Sequence, residues 1–367
     1  MRSSTADLPR PLRGTIALVA GATRGTGRGI ARALGEAGAT VYCTGRSVRG
    51  QPATAGRNET IEETADLVTA AGGQGIAVRV DHTIPDEVHA LVDRVRADHG
   101  ALDLLVNDVW GGDDLTQWGK SLWEHSLDDG LLMQRRAVHS HIITSHFAIP
   151  LMLDRSGALI VEVTDGIGPG YRGNVFYDLA KVSVIRLAVA LAYELRNRGV
   201  TAVAVTPGFL RSERMLDLFG VTEANWRDHI ARDPHWSESE TPLFVGRCIA
   251  ALAADPQHWR MSGRALASWD LAEQYAIDDA DGRRPHWGRY IAAQADAKWN
   301  ELLTRTRDEL ARRAHGVELA ADRETMTLRA GDATRAVLEP ELFFTDAKSI
   351  AGELLDRYER TLPERSR

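Results

Sequence analysis

Two cysteines, Cys43 and Cys248, in 367 residues cannot build a disulfide framework, and such a chain suits a reducing compartment. No apolar run reaches about eighteen residues, the span a membrane-crossing helix needs. The segment Met1 to Arg13 is polar, holds Pro9 and Pro11 and lacks the apolar centre of a secretion signal. No stripe of basic residues stands out and the net charge is −7, which argues against a nucleic-acid partner. A soluble, cytoplasmic protein with no membrane or nucleic-acid partner is therefore expected. What is present is ordinary: 44% apolar and 26% charged residues, enough for a sizeable core. The length exceeds one average domain, so a large domain with an appendage is expected.

Thr15 to Ala20 is a short apolar run that reads as a buried parallel strand. It enters Gly21-Ala22-Thr23-Arg24-Gly25-Thr26-Gly27, and a helix of small residues follows, with Ile30, Ala33 and Leu34 on one face. A second run, Ala39 to Cys43, completes strand, glycine turn, helix, strand. Such a turn lets backbone approach a pyrophosphate, and the helix start offers free N–H groups and positive dipole. An acidic residue that would hold an NAD ribose is missing at the end of the second strand. Thr44-Gly45-Arg46-Ser47 and then Arg49 stand there instead. A guanidinium at this place pairs with a 2′-phosphate, and Arg24 can approach the same group. The expected cofactor is NADP(H), held by Gly21, Arg24, Gly25, Thr26, Gly27, Arg46, Ser47 and Arg49.

Tyr177 and Lys181 in Tyr177-Asp178-Leu179-Ala180-Lys181 are spaced to project from one helix face. An ammonium near a phenol favours the phenolate and brings its pKa, ordinarily about 10, toward the working range. The pair can then give a proton to a carbonyl or take one from an alcohol.

Gly-x-x-x-Gly-x-Gly at residues 21–27, followed by Tyr-x-x-x-Lys about 150 residues later, resembles the short-chain dehydrogenase/reductase family, over roughly residues 12–275. The resemblance implies a doubly wound parallel-sheet Rossmann α/β fold, with residues 276–367 as a C-terminal, mainly helical appendage. It implies that Asp81, after the strand Gly75 to Val80, lies against the adenine, and that Asn107 ends the strand Leu102 to Val106. The family's Asn-Asn-Ala-Gly reads here Asn107-Asp108-Val109-Trp110-Gly111, a bulkier turn. Tyr177 and Lys181 would also hold the nicotinamide ribose, and Pro207, Gly208 and Ser212 would meet the nicotinamide side.

The catalytic set departs from the family. The helix read over Leu131 to Leu153 lacks the expected Asn near its middle and offers Gln134, Arg135, His139, Ser140 and His141. His139 or His141 could stand in, or either could simply pack or face solvent. The family's Ser precedes the Tyr by 12 to 14 residues, and here Thr164 and Asp165 fall in that window. Matching the strand ending favours Asp165, whereas counting back favours Thr164. Thr164 is taken, because a hydroxyl can donate to a developing alkoxide and an ionised Asp would repel it.

Trp110, Trp118 and Trp123 lie in an aperiodic loop, and Trp226 and Trp236 in a candidate lid over residues 213–241. Five of nine tryptophans in these stretches point to a large apolar pocket for a small-molecule substrate. The helix from Tyr177 to Asn197 is apolar on most sides, so one face packs on the sheet and the other on a second subunit. The family's four-helix contact implies a homodimer or homotetramer. The appendage reads as an amphipathic helix over Tyr290 to Arg313, a hairpin turning at Ala330-Gly331-Asp332 and a helix over Thr345 to Leu362. It shows no catalytic motif or metal-ligand cluster, and no metal is expected in the site. The leading reading is an NADP(H)-dependent oxidoreductase acting on a carbonyl and an alcohol. The alternative is a non-catalytic NADP(H)-binding regulatory protein.

Overall fold

The computed structural model describes residues 10–153, 155–168, 170–313, 317–321, 325–330, 333–338 and 347–360. Each apolar run read before residue 275 becomes a strand of one parallel sheet. The strands are β1 (Ile16–Ala20), β2 (Thr40–Gly45), β3 (Gln74–Arg79), β4 (Leu104–Asn107), β5 (Ala158–Val163), β6 (Val200–Thr206) and β7 (Ala265–Ala267), in the order β3-β2-β1-β4-β5-β6-β7. Strands buried on both faces stay apolar at successive positions. Glu162 is a fully buried carboxylate within β5. The strand order reverses between β1 and β4, and a crevice opens there at the carboxyl ends of the strands.

Helices cover both faces. On one side lie α1 (Gly25–Glu36) and α2 (Ile61–Ala71), and on the other α3 (Pro85–His99). Next in the chain come α4 (Leu127–Gln134), α5 (Ser140–Ala148), α6 (Val175–Leu195), α7 (Glu213–Phe219), α8 (Pro242–Ala254) and α9 (Ser268–Tyr275). One core joins Leu34, Val41, Leu104, Val161, Phe244 and Ile249, and the other joins Leu18, Val88, Leu91, Leu105, Ile160 and Leu191. The α1 and α8 backbones touch: a Cβ on Gly29 would sit 2.1 Å from the Pro242 carbonyl oxygen. Only glycine fits there, whatever its cost to the helix.

Two compact units divide the chain, one ending at Trp287 and the other beginning at Gly288. Residues after the expected boundary at 275 thus stay with the first unit. Asp279 accepts the Thr241 N–H (2.9 Å), and Arg283 donates to the carbonyls of Ser237 (2.7 Å) and Ser239 (2.9 Å). The second unit has α10 (Trp287–Arg313), an antiparallel sheet of β8 (Glu318–Ala321), β9 (Met326–Ala330) and β10 (Ala333–Leu338), and α11 (Ala347–Arg360). Its own core is Leu303, Leu310, Leu319, Met326, Leu328, Ala351 and Leu354. The expected hairpin is the β9–β10 pair, with Ala330 opposite Ala333; its turn residues Gly331 and Asp332, and the first residues of the last expected helix, lie outside the described residues. Among the described residues no helix is long and apolar enough to cross a membrane.

Candidate active site

Asn174 fixes the start of α6 by accepting the Tyr177 N–H (3.0 Å), so Tyr177 stands in the first turn and Lys181 one turn later. The Tyr177 hydroxyl donates to Asp165 Oδ2 at 2.8 Å. Thr164 is turned away, donating its hydroxyl to the Lys181 carbonyl at 2.8 Å and lying buried. The geometry therefore brings Asp165, and not the expected Thr164, to the Tyr177 hydroxyl. Consecutive residues leaving a strand point in opposite directions, and the helix carbonyl captures the threonine. Burial and the Asp165 carboxylate push the Tyr177 pKa well above its ordinary value, and the nearby Arg172 offsets only part of this. Tyr177 is held as a neutral donor.

The Lys181 ammonium lies 4.1 Å from the centre of the Trp110 ring and 5.5 Å from that of Tyr177. Trp110 meets Tyr177 edge-on, 5.3 Å between ring centres, and Trp118 packs on the same ring at 5.2 Å. Burial lowers the Lys181 pKa, while Asp165, Asp108 and Asp113 raise it. Of the five tryptophans assigned to a pocket, Trp110 and Trp118 reach Tyr177. Trp226 and Trp236 are buried instead in the segment after α7, where the Arg211, Arg227 and Arg283 guanidinium groups stack on Trp226 at 4.2, 4.5 and 4.8 Å.

The glycine turn is built for close approach. A Cβ on Gly21 would lie 2.5 Å from the Asp108 carbonyl oxygen, and one on Gly27 would lie 2.4 Å from the Gly21 oxygen. Gly25 has φ +54°, and with Thr26 and Gly27 it opens α1. Its N–H donates to Glu213 Oε2 at 2.8 Å, so a carboxylate stands where a helix start takes a phosphate. That stand-in shows that the turn accepts an anionic oxygen, and the residues fit a dinucleotide. Arg24 contacts Glu59 (3.5 Å) and Thr54 (3.3 Å), and Arg46 faces Asp81 at 3.7 Å. Arg49 instead reaches Asp66 on α2, and the Ser47 hydroxyl accepts the Ala53 N–H at 3.1 Å. Asp81 also closes its own turn, accepting from the Thr83 N–H (2.9 Å) and hydroxyl (2.7 Å). Arg57, paired with Glu59 and Asp217, adds a cation that bears on Arg24, and Arg136 adds one near Arg46. Neither was marked by a motif.

Pro207 and Gly208 follow β6. The Gly208 N–H donates to Glu240 Oε2 (3.0 Å), which also accepts from Ser268 (2.7 Å), and burial pushes the Glu240 pKa up to about 8. Ser212 caps α7, its hydroxyl accepting the Met215 N–H at 3.3 Å. The next two residues grip both sides of the crevice: Glu213 holds Gly25, and Arg214 lies 3.5 Å from Asp113 and 3.0 Å from Asp114.

Beneath the site is a polar cluster. A π-helical turn, Arg135–His139, interrupts the helix between α4 and α5. His139 is exposed, whereas His141 is buried, with Nδ1 2.6 Å from Glu162 Oε2 and Nε2 3.0 Å from the Val109 carbonyl. Asn107 Nδ2 donates to Glu162 Oε1 (2.9 Å) and Ser145 Oγ (3.0 Å). Asp108, the next residue, has its pKa pushed up to about 7 by burial, while Lys181, His141 and the Gly27 N–H pull it down. The signal that could have found Glu162 is a lone charge inside the apolar run of β5.

Glu213 and a dinucleotide phosphate compete for one N–H. Replacing Glu213 by Gln removes the competing charge and a repulsion, and is expected to tighten binding of a nicotinamide dinucleotide about tenfold. Fluorescence titration of wild type and Glu213→Gln measures this; unchanged or weaker binding would show that Glu213 leaves the turn at no cost.

Comparison with known proteins bears on this geometry. The family described as short chain dehydrogenase matches residues 15–219. Dehydrogenase/reductase SDR family member 1 of Mus musculus is 36% identical over 278 residues, covering 74% of this chain and 85% of the mouse protein. The 3-oxoacyl-[acyl-carrier-protein] reductase FabG of Staphylococcus aureus is 32% identical over 200 residues, 54% of this chain and 75% of its own. Among solved structures, a short chain dehydrogenase of Mycobacterium thermoresistibile superposes with a TM-score of 0.62 at 23% identity, over 75% of this chain and 92% of its own. A hydroxysteroid dehydrogenase of Escherichia coli superposes with a TM-score of 0.57 at 22% identity, over 70% and 96%. These two share the fold. With a seven-stranded parallel sheet, a glycine turn and Tyr177 beside Lys181 at the crevice, the chain belongs to the short-chain dehydrogenase/reductase family of oxidoreductases.

Proposed function

We propose that the protein is an NADP(H)-dependent oxidoreductase that interconverts a carbonyl and an alcohol on a bulky apolar small molecule. The observation that carries this reading is the Tyr177 hydroxyl, hydrogen-bonded to Asp165 and packed between Trp110 and Trp118, beside the Lys181 ammonium. A bound nicotinamide supplies or accepts the hydride. Tyr177 delivers the proton to the carbonyl oxygen, and Lys181 stabilises the phenolate left behind. A phenol with a raised pKa stays protonated, the form a reduction requires. Asp165 receives the phenolic hydrogen bond until a substrate oxygen takes it. A relative that is named a 3-oxoacyl reductase supports carbonyl reduction, and Trp118, 60% exposed beside Tyr177, supports an apolar substrate.

Arg46 and Arg24 near the end of β2 support the 2′-phosphate. Leu131 on α4 and Leu179 on α6, 56% and 50% exposed, support a homodimer or homotetramer built on these helices. The buried thiols of Cys43 and Cys248 suit the cytoplasm. Asp165 in the place of the family's serine is the observation behind a second reading, an NADP(H)-binding regulator without catalysis. Such a regulator has no chemical use for Tyr177 beside Lys181.

Tyr177→Phe is expected to bind NADPH as the wild type does and to lose turnover by ~10²–10⁴-fold, followed by nicotinamide absorbance across a panel of ketones and aldehydes. No wild-type turnover on any of them, with NADPH altering association with another protein, would establish the regulator. Arg46→Ala should cut the preference for NADPH over NADH by roughly ten- to a hundredfold; equal fluorescence titrations for the two cofactors in wild type would sink the phosphate assignment. Light scattering at micromolar concentration should give at least the dimer mass, and a monomer would contradict the helix contact.

A further inference from the structure

We propose that His141 is a positioning residue for Lys181, acting through the Val109–Trp110 turn. The role rests on the oxidoreductase reading, in which Lys181 serves Tyr177, but the contacts themselves do not depend on it.

Both ring nitrogens of His141 face acceptors: a carboxylate oxygen at 2.6 Å and a backbone carbonyl at 3.0 Å. With Glu162 ionised neither partner can donate, and satisfying both then requires a hydrogen on each nitrogen, the imidazolium form of the ring. Glu162 is fully buried in β5. A buried carboxylate stripped of its countercharge is strongly destabilising, so the carboxylate holds the ring in its charged, two-donor form. The other Glu162 oxygen accepts from Asn107 at 2.9 Å, which fixes the carboxylate in turn. The remaining titratable groups that act on this ring or feel it are Asp108 and His82, and His82 is kept neutral down to about pH 3 by burial and by the charge of His141.

The second donor of that ring grips Val109. On its other side the same turn presses on Gly21, where a Cβ would lie 2.5 Å from the Asp108 oxygen and 2.9 Å from the Val109 nitrogen. The peptide is thus clamped between the glycine turn and the imidazolium. Trp110 follows immediately, its indole N–H tied to Asp113 at 2.7 Å and its ring face 4.1 Å from the Lys181 ammonium. A cation held over an indole face keeps a defined position. Asp165, Asp108, Asp113, Arg172 and Tyr177 are the other charged or titratable groups around that ammonium, and of these Asp113 and Tyr177 also touch the indole. A chain of contacts therefore runs from Glu162 in the sheet to the ammonium beside Tyr177.

The chain has four lysines, so labelling lysine side chains with carbon-13 gives four signals, and Lys181→Arg identifies one. The Lys181 titration is followed by NMR in wild type, His141→Gln, Trp110→Phe and the double variant. The two single variants are expected to move the Lys181 midpoint in the same direction by about half a pH unit or more, and the double variant no further than either. If His141→Gln proves too unstable, His141→Leu with Glu162→Gln removes both charges and leaves no stranded carboxylate; the same shift is expected. A Lys181 midpoint at its wild-type value in a folded His141 variant, or shifts that add in the double variant, would overturn the proposal. The measurement needs no substrate, so a failed search for turnover leaves its result readable.

Discussion

Two backbone turns meet with no side chain between them, and the site depends on that meeting. Gly21 at the end of β1 lies so close to the Asp108–Val109 peptide at the end of β4 that a single Cβ would collide with it. The Asp108 N–H is tied to the Ala20 carbonyl at 2.9 Å, so the two strand ends act as one rigid floor. On one side the floor opens into the α1 N-terminus, where the Gly25 N–H meets Glu213. On the other it carries Trp110, and with it Lys181 and Tyr177. The glycine turn and the Tyr177–Lys181 pair are therefore held in register by this contact.

Much of this was legible in the sequence. Apolar runs located β1 and β2, and the family resemblance placed β3 and β4, because strands buried on both faces stay mostly apolar. The Gly21–Gly27 turn and the Tyr177–Lys181 spacing marked the crevice. Thr164 and Asp165 were not separable, since they are adjacent and a shift of one position at a strand end exchanges which faces inward; only the Lys181 carbonyl, one helix away, decides it. Trp226 and Trp236 read as pocket residues because aperiodic aromatics carry no sign of which way they face, and stacked guanidinium groups cover Trp226 instead. Glu213 meets Gly25 across 188 residues, a pairing no local pattern can announce. His141 faces inward after a π-turn that breaks the helical period by which it would have been read.

The distribution of charge gives the crevice two ends of opposite character. Arg24, Arg28, Arg46 and Arg57 surround the glycine turn and the end of β2, each already engaged with a carboxylate of Glu59, Glu63, Glu213, Asp81 or Asp217. Arg46–Asp81 and Arg28–Glu63 are partly exposed, and such pairs contribute ~0–1 kcal/mol, whereas Arg57 and Glu59 are mostly buried. On the proposed reading a phosphate would draw on Arg46 at small cost, its carboxylate partner pre-orienting it until then.

At the other end, Asp108, Asp113 and Asp165 act on the ammonium of Lys181, with the Arg172 and Arg214 guanidinium groups also nearby. On the proposed reading this end receives the nicotinamide, whose oxidised ring carries a positive charge that the reduced ring lacks. A cluster of carboxylates with low local dielectric stabilises the charged ring more than the neutral one, and so favours the departure of hydride. The same carboxylates, Asp165 above all, keep the Tyr177 hydroxyl protonated and ready to donate. Charges that would favour hydride release thus hold the proton on Tyr177, and on the proposed reading the Lys181 ammonium offsets them when the proton leaves.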